Sequence, residues 1–200
     1  MPSRTLVLAS GSPARLRLLR DAGFDPQVVV SGVDEDDVDP DDTAGSVGRL
    51  AARKAEAVAG AGTPDLVLGC DSMLEFRGRS HGKPVTLDEA RTWLVDMRGR
   101  SGVLYTGHCL IDGATGARAE RVVGTTVHFS VTTDAELDAY LATSDVLEVA
   151  GAFTLDGRSA PFIDGIDGDH GNVIGLSLPT LRGLLGELGV TVTELWVTRP

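Results

Sequence analysis

Residues 5–15 read TLVLASGSPAR, and the change of character within this stretch sets the fold class. Residues 5–9 are mostly apolar, as in a buried strand. Ser12 then stands as a helix N-cap with Pro13 in the first helical position, where its missing N–H leaves no bond unmade. The following helix carries Leu16, Leu18 and Leu19 toward a core and stops at Gly23. A strand that runs straight into a helix opens an α/β arrangement. The turn between them also has a chemical reading. A helix start offers unpaired N–H groups and partial positive charge, Gly11 permits close backbone approach, Ser10 and Ser12 add hydroxyls, and Arg15 adds a charged fork. Such a set suits an anion. The same residues also suit an ordinary Ser-Pro cap with Arg15 exposed.

Outward from this stretch, residues 26–31 (PQVVVS) read as a second strand, followed by the acidic loop VDEDDVDPDDTAGS. A helix over 44–60 has Leu50, Ala51, Lys54, Ala55 and Val58 near one face. Residues 65–70 (DLVLGC) are a buried strand, and MLEF, RGRSHG and KP read as a short hairpin or bulged loop. Thr86 and Glu89 form a capping box before a helix with Ala90, Trp93, Leu94 and Met97 inward. Two long strand-like runs, 102–112 and 118–131, are joined by the turn DGATG. Thr133 and Glu136 open a helix with Leu137, Tyr140 and Leu141. The Gly- and Asp-rich segment 148–178 holds short strands at AFTL and PFID. A helix over 179–188 and a last strand at VTELWVT close the chain. With βα units first and a hairpin in the middle, the expectation is an α/β fold with a mixed sheet, in one domain over residues 1–200.

The formal charge of −11 argues against broad binding to DNA or RNA, yet leaves room for a small polyanion in a locally cationic pocket or beside a divalent metal. The N-terminal apolar run is too short for a signal peptide, and no run approaches the ~18 apolar residues of a membrane span. Cys70 and Cys109 sit in strand-like runs and read as reduced core residues. A cytoplasmic protein with no membrane partner is expected.

The sharpest chemical feature is VLGCDS, where a buried run is read as ending in Asp71. An acid at the carboxyl end of a sheet strand must be solvated, paired or metal-bound. Glu35, after VVVSGVD, has a similar strand-end position. Two such carboxylates suit a divalent cation against phosphates, or one of them suits deprotonation of water; capping of turns is the plainer alternative. Lys54 lies on a face of small apolar residues and Lys83 is pinned in HGKP; no GxxxxGK[ST] loop exists. His108 reads as a strand residue, His81 and His170 as exposed loop residues, and Arg98 and Arg100 as basic residues at a helix end. Asp164, Asp167 and Asp169 do not meet the EF-hand pattern.

The ordered set LASGSPAR, VDE with AARKAEAV, GCDS, GKP, TGH and GNVIGLSLP resembles the Maf family of nucleotide pyrophosphatases across almost the whole chain. The resemblance implies an elongated mixed sheet flanked by helices, as in the inosine triphosphate pyrophosphatases. It implies hydrolysis of a nucleoside triphosphate to monophosphate and diphosphate, removal of non-canonical or modified nucleotides, and a cytoplasmic homodimer. It also implies a divalent metal, Mg²⁺ first and Mn²⁺ second. By position, Asp71 matches the catalytic aspartate, and Glu35 the acidic partner near the metal. Ser10, Ser12, Arg15, Lys54 and Lys83 match the phosphate-facing set. Three residues depart from the common pattern: Ala14 for an arginine, Ser72 for a threonine, and Asp156 for a glutamine. They fall in the part of the pattern tied to base selection, resemble an actinobacterial-type subgroup, and leave the base open. Two other readings use the same residues. One is a nucleotide-binding regulator of cell division or septum formation without turnover. The other is a phosphohydrolase acting on the terminal phosphate.

Overall fold

A computed structural model describes residues 4–35, 38–59, 66–143 and 145–197. Within them lies a seven-stranded mixed sheet. The strands are β1 (Leu6–Leu8), β2 (Gln27–Val28), β3 (Leu66–Phe76), β4 (Arg79–His81), β5 (Ser101–Asp112), β6 (Arg118–Phe129) and β7 (Ile163–Asp167). Their order is β2-β1-β3-β5-β6-β7, with β4 paired to β3 off this path. β1 is parallel to both β2 and β3; every other pairing is antiparallel. The helices are α1 (Pro13–Asp21), α2 (Thr43–Ala59), α3 (Leu87–Met97), α4 (Asp134–Thr143), α5 (His170–Ile174) and α6 (Leu178–Glu187). The expected α/β class with a mixed sheet and flanking helices is what the chain adopts.

Strand alternation divides the core. On one face of β1, β3 and β5, Val7, Ala9, Val67, Cys109 and Ile111 meet Ala51, Ala52 and Ala55 of α2. On the other, Leu6, Leu8, Leu66, Leu68, Cys70 and Leu110 meet Leu19 of α1 and Leu181, Leu184 and Leu185 of α6. The small side chains of α2 let it lie almost on the sheet. A Cβ on Gly69 would stand 2.2 Å from the Ala51 carbonyl oxygen, and one on Gly107 would stand 2.2 Å from that of Val47. At the far end of β3, with β5 and β6, Leu74, Phe76, Leu104, Val127, Phe129 and Phe153 build a further core under α3.

Local signals held where the bonds are local. Ser12 caps α1, accepting from the Arg15 N–H, and Thr133 and Glu136 exchange bonds reciprocally at α4. Thr86 caps α3, but the Glu89 carboxylate takes the Val85 N–H rather than that of Thr86. Cys70 and Cys109 are free and buried.

Four expectations are corrected. β3 does not end near Asp71 but continues to Phe76, because β5 pairs with it from Leu66↔Asp112 to Glu75↔Val103. β2 is only Gln27–Val28, since its one partner, β1, is itself short; Val28, Val29 and Val30 are exposed, and Glu35 lies in the loop well beyond. AFTL forms no strand, and PFID supplies only the start of one, since Ile163 and Asp164 open β7. Residues 150–152 and 160–162 are 3₁₀ turns, and Ser159 Oγ closes residues 154–159 on themselves through both the N–H and the C=O of Thr154. VTELWVT is a 3₁₀ turn over Val192–Leu195, where Thr191 and Glu194 form a capping box; only a Phe24↔Trp196 bridge is strand-like.

His108 in β5 is buried and accepts a 2.9 Å bond at Nε2 from the N–H of Ser177, the N-cap of α6, so its proton sits on Nδ1. Burial pushes its pKa from 6.5 down to about 4. The unfolded chain therefore binds this proton first. The stability that neutral His108 contributes is complete above about pH 6.5 and is lost as pH falls toward 4. Urea unfolding at pH 7 and pH 4 should show wild type losing about 3 kcal/mol more than His108→Asn over that range. Equal losses would remove His108 as the acid-sensitive group.

Candidate active site

β1 and β4 pair with the same edge of β3 but leave a gap between them. β1 stops at Leu8↔Leu68, and β4 begins at Leu74↔His81. Residues Gly69–Met73 therefore present an edge without a strand neighbour on that side, while β5 holds them on the other. Asp71 and Ser72 lie in this gap and, by alternation, serve opposite faces of the sheet. The N-terminus of α1 borders the opening, because Ser10 and Ser12 directly follow β1.

On the α2 face, Lys54 Nζ stands 2.5 Å from Asp71 Oδ1 and 2.5 Å from Glu35 Oε1. The side chains of Lys54 and Asp71 are 7% and 8% exposed; that of Glu35 is 51% exposed. This exposure difference separates the two acids. Burial raises the pKa of Asp71 above its ordinary value, against the pull of Lys54 and Arg15. The weaker desolvation of Glu35 also works upward. The Lys54 bond and charge outweigh it, helped by Lys83 and Arg15, and hold Glu35 below its ordinary value.

On the α1 face, Arg15 is buried and donates through Nε to the Gly175 carbonyl at 2.8 Å, through Nη1 to Ser10 Oγ at 3.1 Å, and through Nη2 to Ser72 Oγ at 3.0 Å. All three acceptors are neutral oxygens. Each terminal nitrogen donates once here and keeps a second N–H. A buried guanidinium held by neutral groups attracts an anion.

A family model, that of the Maf-like protein, matches residues 5–188. The chain belongs to the Maf-like family. It is 56% identical over 202 residues to a Streptomyces avermitilis protein named nucleoside triphosphate pyrophosphatase, covering 99% of this chain and 97% of that one. A Streptomyces coelicolor protein of the same name is 56% identical, covering 98% and 96%. One from Gloeothece citriformis is 47% identical, covering 95% and 97%.

The Maf-like chain brings most of the expected site residues together: Ser10, Ser12 and Arg15 at the α1 start, Ser72 against Arg15, and Asp71, Lys54 and Glu35 around one ammonium. Ala14, half-buried in the first turn of α1, contributes no polar group. Lys83 is exposed and 3.4 Å from Glu148, although its charge is felt at Glu35. Asp156 is engaged by Arg17 of α1 and by the Thr154 hydroxyl. His81 is half-buried with its ring edge-on to Trp93 at 4.8 Å, not an exposed loop residue. His170 is exposed; Arg98 pairs with Asp134, and Arg100 donates to the Asp96 carbonyl at the end of α3.

Two carboxylates converging on one cationic centre form an all-oxygen donor set that fits a hard divalent ion. Among the described residues no group of three or more His, Cys, Asp and Glu gathers. Further ligands of such an ion would be phosphate oxygens or water.

Thr106 and Asn172, which lie in the TGH and GNVIGLSLP motifs but are assigned no role there, are both fully buried beneath Ser72. The signal available for Thr106 was a hydroxyl inside the otherwise closed strand YTGHCLI.

Proposed function

We propose that this chain hydrolyses nucleoside triphosphates to nucleoside monophosphate and diphosphate, as the names of its curated relatives state for those proteins. The observation that carries the reading is the gap in the β3 edge, beside which Arg15, with N–H groups to spare, and Lys54, between two acids, lie on the two faces of the sheet. Arg15, the α1 start and Lys54 neutralise the triphosphate. Such electrostatic positioning dominates phosphoryl transfer. A water oxygen forms a bond to the α-phosphorus as the bond to the diphosphate oxygen breaks. Asp71, whose pKa is raised by burial, takes the water's proton, while Glu35 stays ionised. Asp71 and Glu35 would hold a divalent cation, Mg²⁺ or Mn²⁺, which supplies charge neutralisation at the phosphoryl oxygens. Lys83, freed from Glu148, reaches the outer phosphates.

The acidic surface supports a protein without nucleic-acid partners, and the two buried free thiols support a cytoplasmic one. Among the described residues no helix is long and apolar enough to cross a membrane. A homodimer rests on the family resemblance.

The test is a panel of ordinary and modified nucleoside triphosphates with Mg²⁺, scored for diphosphate and monophosphate. Stoichiometric release of both is expected, with the preferred base read from the panel. Orthophosphate with nucleoside diphosphate would shift attack to the terminal phosphate. Saturable binding without either product would make the chain a nucleotide-holding regulator.

A further inference from the structure

Beneath Arg15 runs a chain of hydrogen bonds whose direction can be deduced. Thr106 Oγ1 donates to the Asn172 carbonyl at 2.9 Å, which uses its one proton. In its 2.9 Å contact with Ser72 Oγ, Thr106 can therefore only accept. The Ser72 proton is thereby committed to Thr106, and the Ser72 lone pairs face outward to Arg15 Nη2 at 3.0 Å. Thr106 and Ser72 are direct cross-strand partners on β5 and β3, so the sheet register itself sets this link. Asn172 is held in turn: its Nδ2 donates to the Leu104 carbonyl at 3.1 Å and to Thr125 Oγ1 at 3.0 Å. The backbone of α5 and its terminus thus grips Arg15 twice, through Gly175 directly and through Asn172, Thr106 and Ser72 indirectly.

We propose that Thr106 is a positioning residue for the reaction: acting through Ser72, it locks the Arg15 guanidinium so that its unused N–H groups point at phosphate. Thr106 is fully buried and touches no substrate. Its effect passes along hydroxyl dipoles whose order it fixes at the far end. Ser72, its proton spent inward, serves Arg15 as an acceptor. The inference rests on the proposed function only in taking Arg15 as a phosphate contact.

The experiment is a double-mutant cycle read by calorimetric binding of inorganic pyrophosphate with Mg²⁺. Thr106→Val keeps the shape and removes the hydroxyl; it should weaken binding about tenfold. Thr106→Ser should restore it. In an Arg15→Ala background, Thr106→Val should change nothing further. Should Thr106→Val not fold, Ser72→Ala cuts the same chain one link nearer Arg15 and should give the same non-additivity. Undiminished binding in Thr106→Val, or an equal loss with and without Arg15, overturns the proposal, as does wild type that binds no pyrophosphate. A closed cycle in a protein without nucleotide turnover would uphold the proposal and overturn the reaction instead.

Discussion

Asp71→Asn should lower the turnover number by about 10²–10⁴-fold, the range a positioned general base contributes. Nucleotide affinity measured without a divalent cation should change only a few-fold. Asparagine preserves the shape at a position whose side chain is 8% exposed, and its amide oxygen can still accept from Lys54 Nζ. What it removes is an oxygen that can receive a proton, together with one of the two carboxylates that would hold a divalent cation. The site would bind and not cleave, a split between affinity and turnover that a folding defect would not give. Diphosphate release under saturating nucleotide gives the rate, and calorimetry gives the affinity. A rate near wild type would take Asp71 out of the chemistry.

Gly69→Ala should be among the most damaging one-carbon changes in the sheet. The added Cβ would lie 2.2 Å from the Ala51 carbonyl oxygen and 2.7 Å from the Ala55 nitrogen. Both are helix backbone, which cannot rotate aside as a side chain can. α2 must lift away, and a loss of about 3 kcal/mol or more is expected. The damage also reaches the site. Lys54 lies on α2 between Ala51 and Ala55, and Asp71 follows Gly69 on the same face of β3. Lifting α2 separates a pair now 2.5 Å apart, and misplacement of about 1 Å can cost 10² in rate. Gly183→Ala in α6, where the new Cβ meets nothing within 4 Å, should be neutral or slightly stabilising. Thermal unfolding and diphosphate release on both variants distinguish the outcomes. A Gly69→Ala protein as stable and active as wild type would mean that α2 does not pack as described.

Several elements read correctly from sequence are ones whose bonds close within a few residues. Ser12 with Pro13, Thr133 with Glu136, and the DGATG turn each form locally, so their spacing alone announces them. Two of the misread strands depend on a distant partner. Nothing in LGCDSMLEF says that the strand passes through Asp71; that follows from β5, whose contacting residues lie far along the chain. VVV has strand composition but lacks a long neighbour, so it remains a stub. Site residues followed the same rule. Arg15, Lys54, Asp71 and Glu35 carry charge, and charge in an apolar or Gly-rich setting is conspicuous. Thr106 carries none, and its importance lies in the order of protons along hydroxyls contributed by two strands and the α5 backbone.

The depth at which the principal cations sit bears on how substrate arrives. Arg15 is 8% exposed and Lys54 is 6% exposed, on a molecule of formal charge −11. At physiological ionic strength a field fades over about 8 Å, so an approaching polyanion meets the acidic exterior before the recessed positive groups. Long-range attraction therefore contributes little to encounter, and bare nucleotide is repelled on approach. A nucleotide already complexed with a divalent ion carries less charge and suffers less repulsion. Under the proposed function, burial of the cations favours capture of the metal-complexed form, a selection made during diffusion, before any base is inspected.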